Sequence, residues 1–316
     1  MSYYNILREN LQPKRSTSNG IQKILSSGKP VIFSGAATAL ITPFSSDGID
    51  FAALGRIVDR QMKEKISALV VCGTTGEAPT LTRDEAKAIA SSVKSRVGDK
   101  IPVIVGVGCA DTARSVTAAR DAFISGADAV MAVTPYYNRP TKDGIIAHFY
   151  KIAEASPLPL IVYTVPSRTG TQLTPDTYAL LSEHENIVGV KEASGDIRLI
   201  TEICHTLSGA LSIYCGSDEL NLPALAVGCE GVISVLSNIM AHEVSQLCAA
   251  ALSDIERARA IDAELMPLAR AMFIRSNPIP VKAACSILGL CENELRLPLT
   301  PIDKEGYDFI KNMLIH

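Results

Sequence analysis

Short apolar, β-branched runs recur along this chain at Ala36–Ile41, Ala68–Val71, Pro102–Val107, Ala129–Val133, Leu160–Val165, Ile187–Val190, Leu211–Tyr214 and Val232–Val235. Each is apolar throughout instead of alternating, the pattern of a strand buried on both faces of a parallel sheet. Between them lie polar–apolar stretches of helical period, among them Asp50–Lys65 and Thr82–Val97. Thr82 followed by Glu85 reads as a capping box. Gly126 suits the end of a helix predicted over Asp111–Ser125. Eight strand–helix units predict an α/β protein with a (β/α)8 TIM barrel. An open doubly wound sheet fits less well, because no GxGxxG fingerprint follows the first strand.

After Val235 the β-branched runs cease. Helices are predicted over Ile239–Leu252, Ile255–Ile274, Pro280–Leu290 and Tyr307–Ile315, with Pro298 and Pro301 in the loop before the last. The expected organisation is therefore a loosely ordered N-terminal extension over 1–33, the barrel over 34–237 and a C-terminal helical domain over 238–316.

Composition narrows the partners. The chain has 316 residues, of which 47% are hydrophobic and 20% charged, near the globular average. A net charge of −3 gives no field to attract nucleic acid or an anionic membrane. No apolar stretch is long enough to span a bilayer. The first 33 residues carry Arg8, Lys14, Arg15, Lys23 and Lys29 without the apolar core of a secretory signal. Eight cysteines are scattered with no CxxC, as expected of reduced thiols in a cytoplasmic protein. No HxH, HExxH or acidic cluster marks a metal site. His148, His184, His205 and His242 fall in segments read as helical and His316 is terminal, so none is expected to be catalytic. A small molecule is the expected partner.

In a (β/α)8 barrel the chemistry sits at the C-terminal strand ends. Those ends carry Gly73-Thr74-Thr75-Gly76-Glu77, Thr134-Pro135-Tyr136-Tyr137-Asn138, Tyr163 with Pro166-Ser167-Arg168-Thr169-Gly170, Lys191-Glu192, and Gly216-Ser217-Asp218. Lys191 is the unusual residue, a lysine closing a buried strand. A desolvated lysine holds part of its amine uncharged and free to attack a carbonyl. Snorkelling to the rim, or pairing with Glu192, is the structural alternative. Tyr163 on the adjacent strand offers a phenol for the proton transfers a Schiff base needs. Thr74 and Thr75, read as the start of a helix, offer hydroxyls and backbone N–H groups to a small carboxylate. Arg168 suits a second carboxylate, against a plain surface ion pair.

These motifs, with Val190-Lys191-Glu192-Ala193-Ser194-Gly195 and Asn277-Pro278-Ile279-Pro280-Val281-Lys282, resemble the N-acetylneuraminate lyase/dihydrodipicolinate synthase family from about Gly35 to Ile302. The resemblance implies a Schiff base between Lys191 and pyruvate, with Tyr163, Thr74 and Tyr137 as a proton relay. Tyr137 would reach in from a neighbouring subunit. It implies that Thr75 binds the pyruvate carboxylate, that Gly216 and Ile233 line its pocket, and that Arg168 holds the carboxylate of aspartate semialdehyde. It further implies a homotetramer built from tight dimers, with no metal or organic cofactor. Thr164 stands where many relatives have Asn, with little expected effect on the chemistry. At positions matching the family's lysine-feedback site the chain carries Ala78, Pro79, Arg83, Ala86, Ala110 and Arg114, so feedback by lysine is expected to be weak or absent. A sugar-acid lyase, a pyridoxal-phosphate barrel and a catalytically silent barrel are the rival readings.

Overall fold

The computed structural model describes residues 23–315. Eight parallel strands close into a barrel: β1 (Gly35–Ala39), β2 (Ala68–Val71), β3 (Val103–Gly106), β4 (Ala129–Val133), β5 (Leu160–Thr164), β6 (Ile187–Glu192), β7 (Ser212–Cys215) and β8 (Gly231–Ser234). They follow chain order around the ring, and β8 returns to β1 from Gly35↔Gly231 to Thr38↔Ser234. All eight apolar runs became strands, two with the same ends and six with an end shifted by a residue or two. The shift that matters is in β6, which extends past Val190 to include Lys191 and Glu192.

Around the barrel lie α1 (Phe51–Lys63), α2 (Arg83–Val97), α3 (Thr112–Ile124), α4 (Lys142–Ala155), α5 (Pro166–Thr169), α6 (Pro175–Ser182), α7 (Ile197–Leu207) and α8 (Asn221–Ala226). Helix α2 starts where the capping box predicts. Thr82 Oγ1 accepts from Glu85 N while Glu85 Oε2 accepts from Thr82 N at 2.8 Å. Such a cap is worth about 1 kcal/mol. Helix α3 stops before Gly126, whose φ of 82° is the left-handed turn that ends a helix. His184, expected within a helix, instead lies in the turn after α6, where its Nδ1 accepts from Asn186 N at 3.1 Å.

The helices present Leu54, Ile57, Phe149, Ile152, Ile200 and Ile203 to the outer faces of the strands, all buried. Each such side chain contributes about 1.5–3 kcal/mol on removal from water. Four further helices follow the barrel: α9 (Ala241–Ser253), α10 (Ile255–Ala271), α11 (Ile279–Ile287) and α12 (Lys304–Ile315). Among the described residues no helix is long and apolar enough to cross a membrane.

The barrel interior is a separate cluster that includes Ala37, Ile104, Met131, Tyr163, Tyr214 and Ile233. Its floor is closed by Phe33, stacked on Tyr214 with ring centroids 4.3 Å apart, and Tyr214 Oη donates to Phe33 O at 3.0 Å. Lys29 Nζ donates to the carbonyls of Ser182 at 2.5 Å and Ile187 at 2.9 Å, tying this segment to the entry of β6. Of the extension expected over 1–33, residues 1–22 lie outside the described residues, and 23–33 pack against the barrel in this way.

Candidate active site

At the C-terminal mouth of the barrel a cavity of about 370 Å³ opens, a volume suited to a small ligand. Thr74 and Thr75 reach it from the turn after β2, Tyr163 from β5, Arg168 from α5, Lys191 from β6 and Gly216 from the end of β7. Asn277 enters from the C-terminal helical layer, between α10 and α11.

Lys191 is 5% exposed, and its Nζ lies 4.3 Å from the centre of the Tyr163 ring. The two residues are partners in strand register, Tyr163↔Lys191. Successive strand residues point to opposite faces, so Lys191 turns into the barrel and Glu192 turns out toward the helices. There Glu192 accepts from Ser194 N at 2.7 Å and from the Tyr178 hydroxyl. Burial holds the Glu192 carboxyl above the usual carboxylate range, although both hydrogen bonds pull it down. Pairing of Lys191 with Glu192, the alternative left open by the sequence, is therefore excluded by strand geometry.

The threonines sit differently from the helix start expected for them. Residues 73–77 form a turn, followed by a single 3-10 turn over Ala78–Thr80, and α2 begins only at Arg83. Left-handed backbone at Cys72 (φ 53°) and Glu77 (φ 56°) brackets the turn. Glu77 N donates to Thr74 O and Ala78 N to Gly73 O, each at 3.1 Å. Neither bond uses the N–H of Thr74 or Thr75, so the turn offers the cavity both hydroxyl and backbone N–H groups. Thr75 is buried, and its Oγ1 accepts from Asn277 Nδ2 at 3.0 Å. Glu77, one turn further, forms an ion pair with Lys282 of α11, both side chains being almost fully buried.

Arg168 stands exposed at the rim, and its Nη2 donates to the main-chain oxygen of Asn277 at 2.9 Å. Gly216 lines the cavity directly against the Lys191 side chain. Two expected residues are not among the cavity walls. Ile233 lies within the barrel interior, in register with Ala37, one layer below Ala39 of the cavity wall. Tyr137 is 95% exposed and adopts a φ of 73°.

Sequence reasoning gave no role to Asn277 or Asp218. Asp218 Oδ2 accepts from Val235 N and Leu236 N, both at 2.9 Å, which caps the turn after β8 beside the cavity. The Asn277-to-Lys282 motif was visible in the chain, but its contacts join segments some 200 residues apart. Among the described residues no three His, Cys, Asp or Glu side chains are grouped to hold a metal ion.

The Dihydrodipicolinate synthetase family profile matches residues 32–316. The 4-hydroxy-tetrahydrodipicolinate synthase of Thermotoga neapolitana is 44% identical over 288 residues, covering 90% of this chain and 98% of that protein. Among solved structures, the chloride-inhibited dihydrodipicolinate synthase of Acinetobacter baumannii, complexed with pyruvate, superposes with a TM-score of 0.88 at 37% identity. That match covers 90% of this chain and 98% of the other. A monomeric dihydrodipicolinate synthase variant superposes equally well, with a TM-score of 0.88 at 39% identity over 90% of this chain and 96% of that one.

Proposed function

From the premise that this chain belongs to the Dihydrodipicolinate synthetase family, we propose that it condenses pyruvate with L-aspartate 4-semialdehyde through a Schiff base on Lys191. The product is 4-hydroxy-tetrahydrodipicolinate, and the enzyme is a lyase of lysine and diaminopimelate biosynthesis. The observation that carries the catalytic assignment is a buried lysine on a barrel strand, beside Tyr163, opening into a cavity of about 370 Å³.

The amine of Lys191 adds to the ketone carbon of pyruvate, and loss of water leaves an iminium. A base of the proton relay removes a proton from the pyruvate methyl, and the C–H electron pair passes into the iminium to give an enamine whose carbon attacks the aldehyde. The amine of the second substrate then attacks the imine carbon and displaces Lys191. The iminium is itself the electron sink, so this sequence uses no cofactor. Tyr163, Thr74 and Tyr137 relay the protons. Thr75 binds the pyruvate carboxylate, Gly216 makes room for pyruvate, Ile233 supports the pocket from within the barrel, and Arg168 holds the carboxylate of the semialdehyde.

The exposure of Tyr137 supports a shared site, in which that tyrosine completes the cavity of a second protomer. A homotetramer built from such dimers is the assembly we assign. The eight cysteines are free thiols, which suits a cytoplasmic place. The barrel and the helical layer divide near residues 237 and 238 in this reading, with the cavity mouth between them.

Borohydride reduction in the presence of pyruvate tests the mechanism. Mass spectrometry is expected to find the reduced adduct on Lys191, and an adduct elsewhere or none overturns it. A coupled assay with pyruvate and aspartate semialdehyde should be active for the wild type and silent for Lys191→Ala. Faster turnover of a sugar acid such as sialic acid would reassign the substrate.

A further inference from the structure

We propose that Asn277 is a positioning residue that sets the hydroxyl of Thr75 for the pyruvate carboxylate while its main chain separately anchors Arg168. The inference rests on the roles assigned above to Thr75 and Arg168. Its basis is the way one residue of the C-terminal layer meets both groups. Asn277 Nδ2 donates to Thr75 Oγ1 at 3.0 Å, and Asn277 O accepts from Arg168 Nη2 at 2.9 Å.

A threonine hydroxyl has one proton and two lone pairs. Donation from the amide occupies a lone pair of Thr75 Oγ1 and leaves the proton unspent. Among the described residues no acceptor takes that proton, so it is free to be donated to an anion in the cavity. Without the amide, the hydroxyl rotor has no fixed direction and has to be ordered when the ligand arrives.

The other end of the same amide carries the second observation. Asn277 is 6% exposed, and its Oδ1 is buried without a hydrogen-bond partner. A buried acceptor left unpaired destabilises the fold, and a leucine of similar shape would avoid that penalty. Packing alone does not explain an asparagine here. A requirement for its N–H on Thr75 does. The placement is rigid from both sides, because Lys282, five residues on, forms the buried ion pair with Glu77, two residues beyond Thr75.

The two contacts use different atoms, so they separate experimentally. Substituting the side chain removes the bond to Thr75 and keeps the main-chain bond to Arg168. The measurement is the pyruvate concentration that half-saturates borohydride trapping on Lys191, taken for wild type, Asn277→Ala, Thr75→Val and the double variant. Asn277→Ala is expected to raise it about tenfold, the loss of one well-placed hydrogen bond. In the Thr75→Val background the same change is expected to move it less than twofold. Asn277→Leu, matched in shape, should repeat the loss with a melting temperature at or above that of the wild type.

The KM for the semialdehyde at saturating pyruvate should change less than twofold in either variant. Unchanged half-saturation in Asn277→Ala and Asn277→Leu, or effects that multiply in the double variant, would overturn the proposal. An equal rise in both KM values would also overturn it, since that is the mark of a loosened scaffold. Failure of the wild type to trap pyruvate on Lys191 is a separate result, and it would overturn the Schiff-base reading instead.

Discussion

Gly216 and Lys191 fit so closely that a methyl group on the glycine would stand 2.7 Å from Lys191 Cε, and it would stand 2.8 Å from Ala193 Cβ. Glycine at this strand end therefore leaves the lysine its path into the cavity, and no larger residue does so without moving it. Gly216→Ala is expected to displace the amine and lower kcat by roughly ten- to a hundredfold, the sensitivity of a reaction to misplacement of about an ångström. Steady-state kinetics check this, with melting temperature as the fold control. A variant that keeps wild-type kcat would show that the approach is not required.

The Glu77–Lys282 pair carries side chains no more than 1% exposed. Burial pushes the Lys282 ammonium down while the glutamate opposes that shift, and Arg296 N donates to the other carboxylate oxygen at 3.1 Å. Removing one partner strands a buried charge, so Lys282→Met is expected to cost about 3–5 kcal/mol. The double change Glu77→Leu with Lys282→Met should cost less than Lys282→Met alone. Urea unfolding of the wild type and both variants checks the order, and a larger loss in the double variant would contradict it.

His148 gives the fold a pH dependence. Burial pushes its imidazole down to about 4, with Asp111 opposing, while Nδ1 lies 2.9 Å from Thr112 Oγ1. The unfolded chain takes up this proton below about pH 6.5, before the folded chain does. The contribution is therefore complete above pH 6.5 and is lost as pH falls toward 4, on the order of 3 kcal/mol in all. His148→Gln should flatten the fall in urea midpoint between pH 7 and pH 4.5. Parallel falls in both proteins would remove His148 as the cause.

Lysine is expected to inhibit weakly or not at all. Arg83 is turned to Asp121, with Nε 2.5 Å and Nη2 2.7 Å from its two carboxylate oxygens. That pairing takes up the nearest acidic partner, and Arg83 and Arg114 both stand exposed where a lysine ammonium would need negative charge. Initial rates across a lysine titration check this, and strong inhibition at millimolar lysine would contradict it.

Much of this was legible in the chain. The barrel followed from eight continuous apolar runs, because burial on both faces of a strand leaves a pattern that needs no tertiary information. Lys191 was conspicuous for the same reason, as a charge at the end of such a run. Three things were not legible. The threonine turn resembles a helix start, yet left-handed backbone at Glu77 and a 3-10 turn over Ala78–Thr80 separate it from α2. His184 missed its helix by two residues, because the helical pattern does not fix where the last turn ends. Asn277 could be seen as part of a motif, yet its contact with Thr75 depends on how the helical layer lies across the mouth.

That last contact bears on how such a protein can be altered or inherited. The barrel encloses its own interior, but the mouth is finished by residues that arrive after position 238, Phe273 and Asn277, while Lys282 and Arg296 hold Glu77 at the end of the threonine turn. Exchanging the helical layer between relatives would therefore carry part of the cavity wall with it. Selection acting on either piece is selection on both, and a barrel grafted alone onto a new partner would arrive without the amide that donates to its Thr75 hydroxyl.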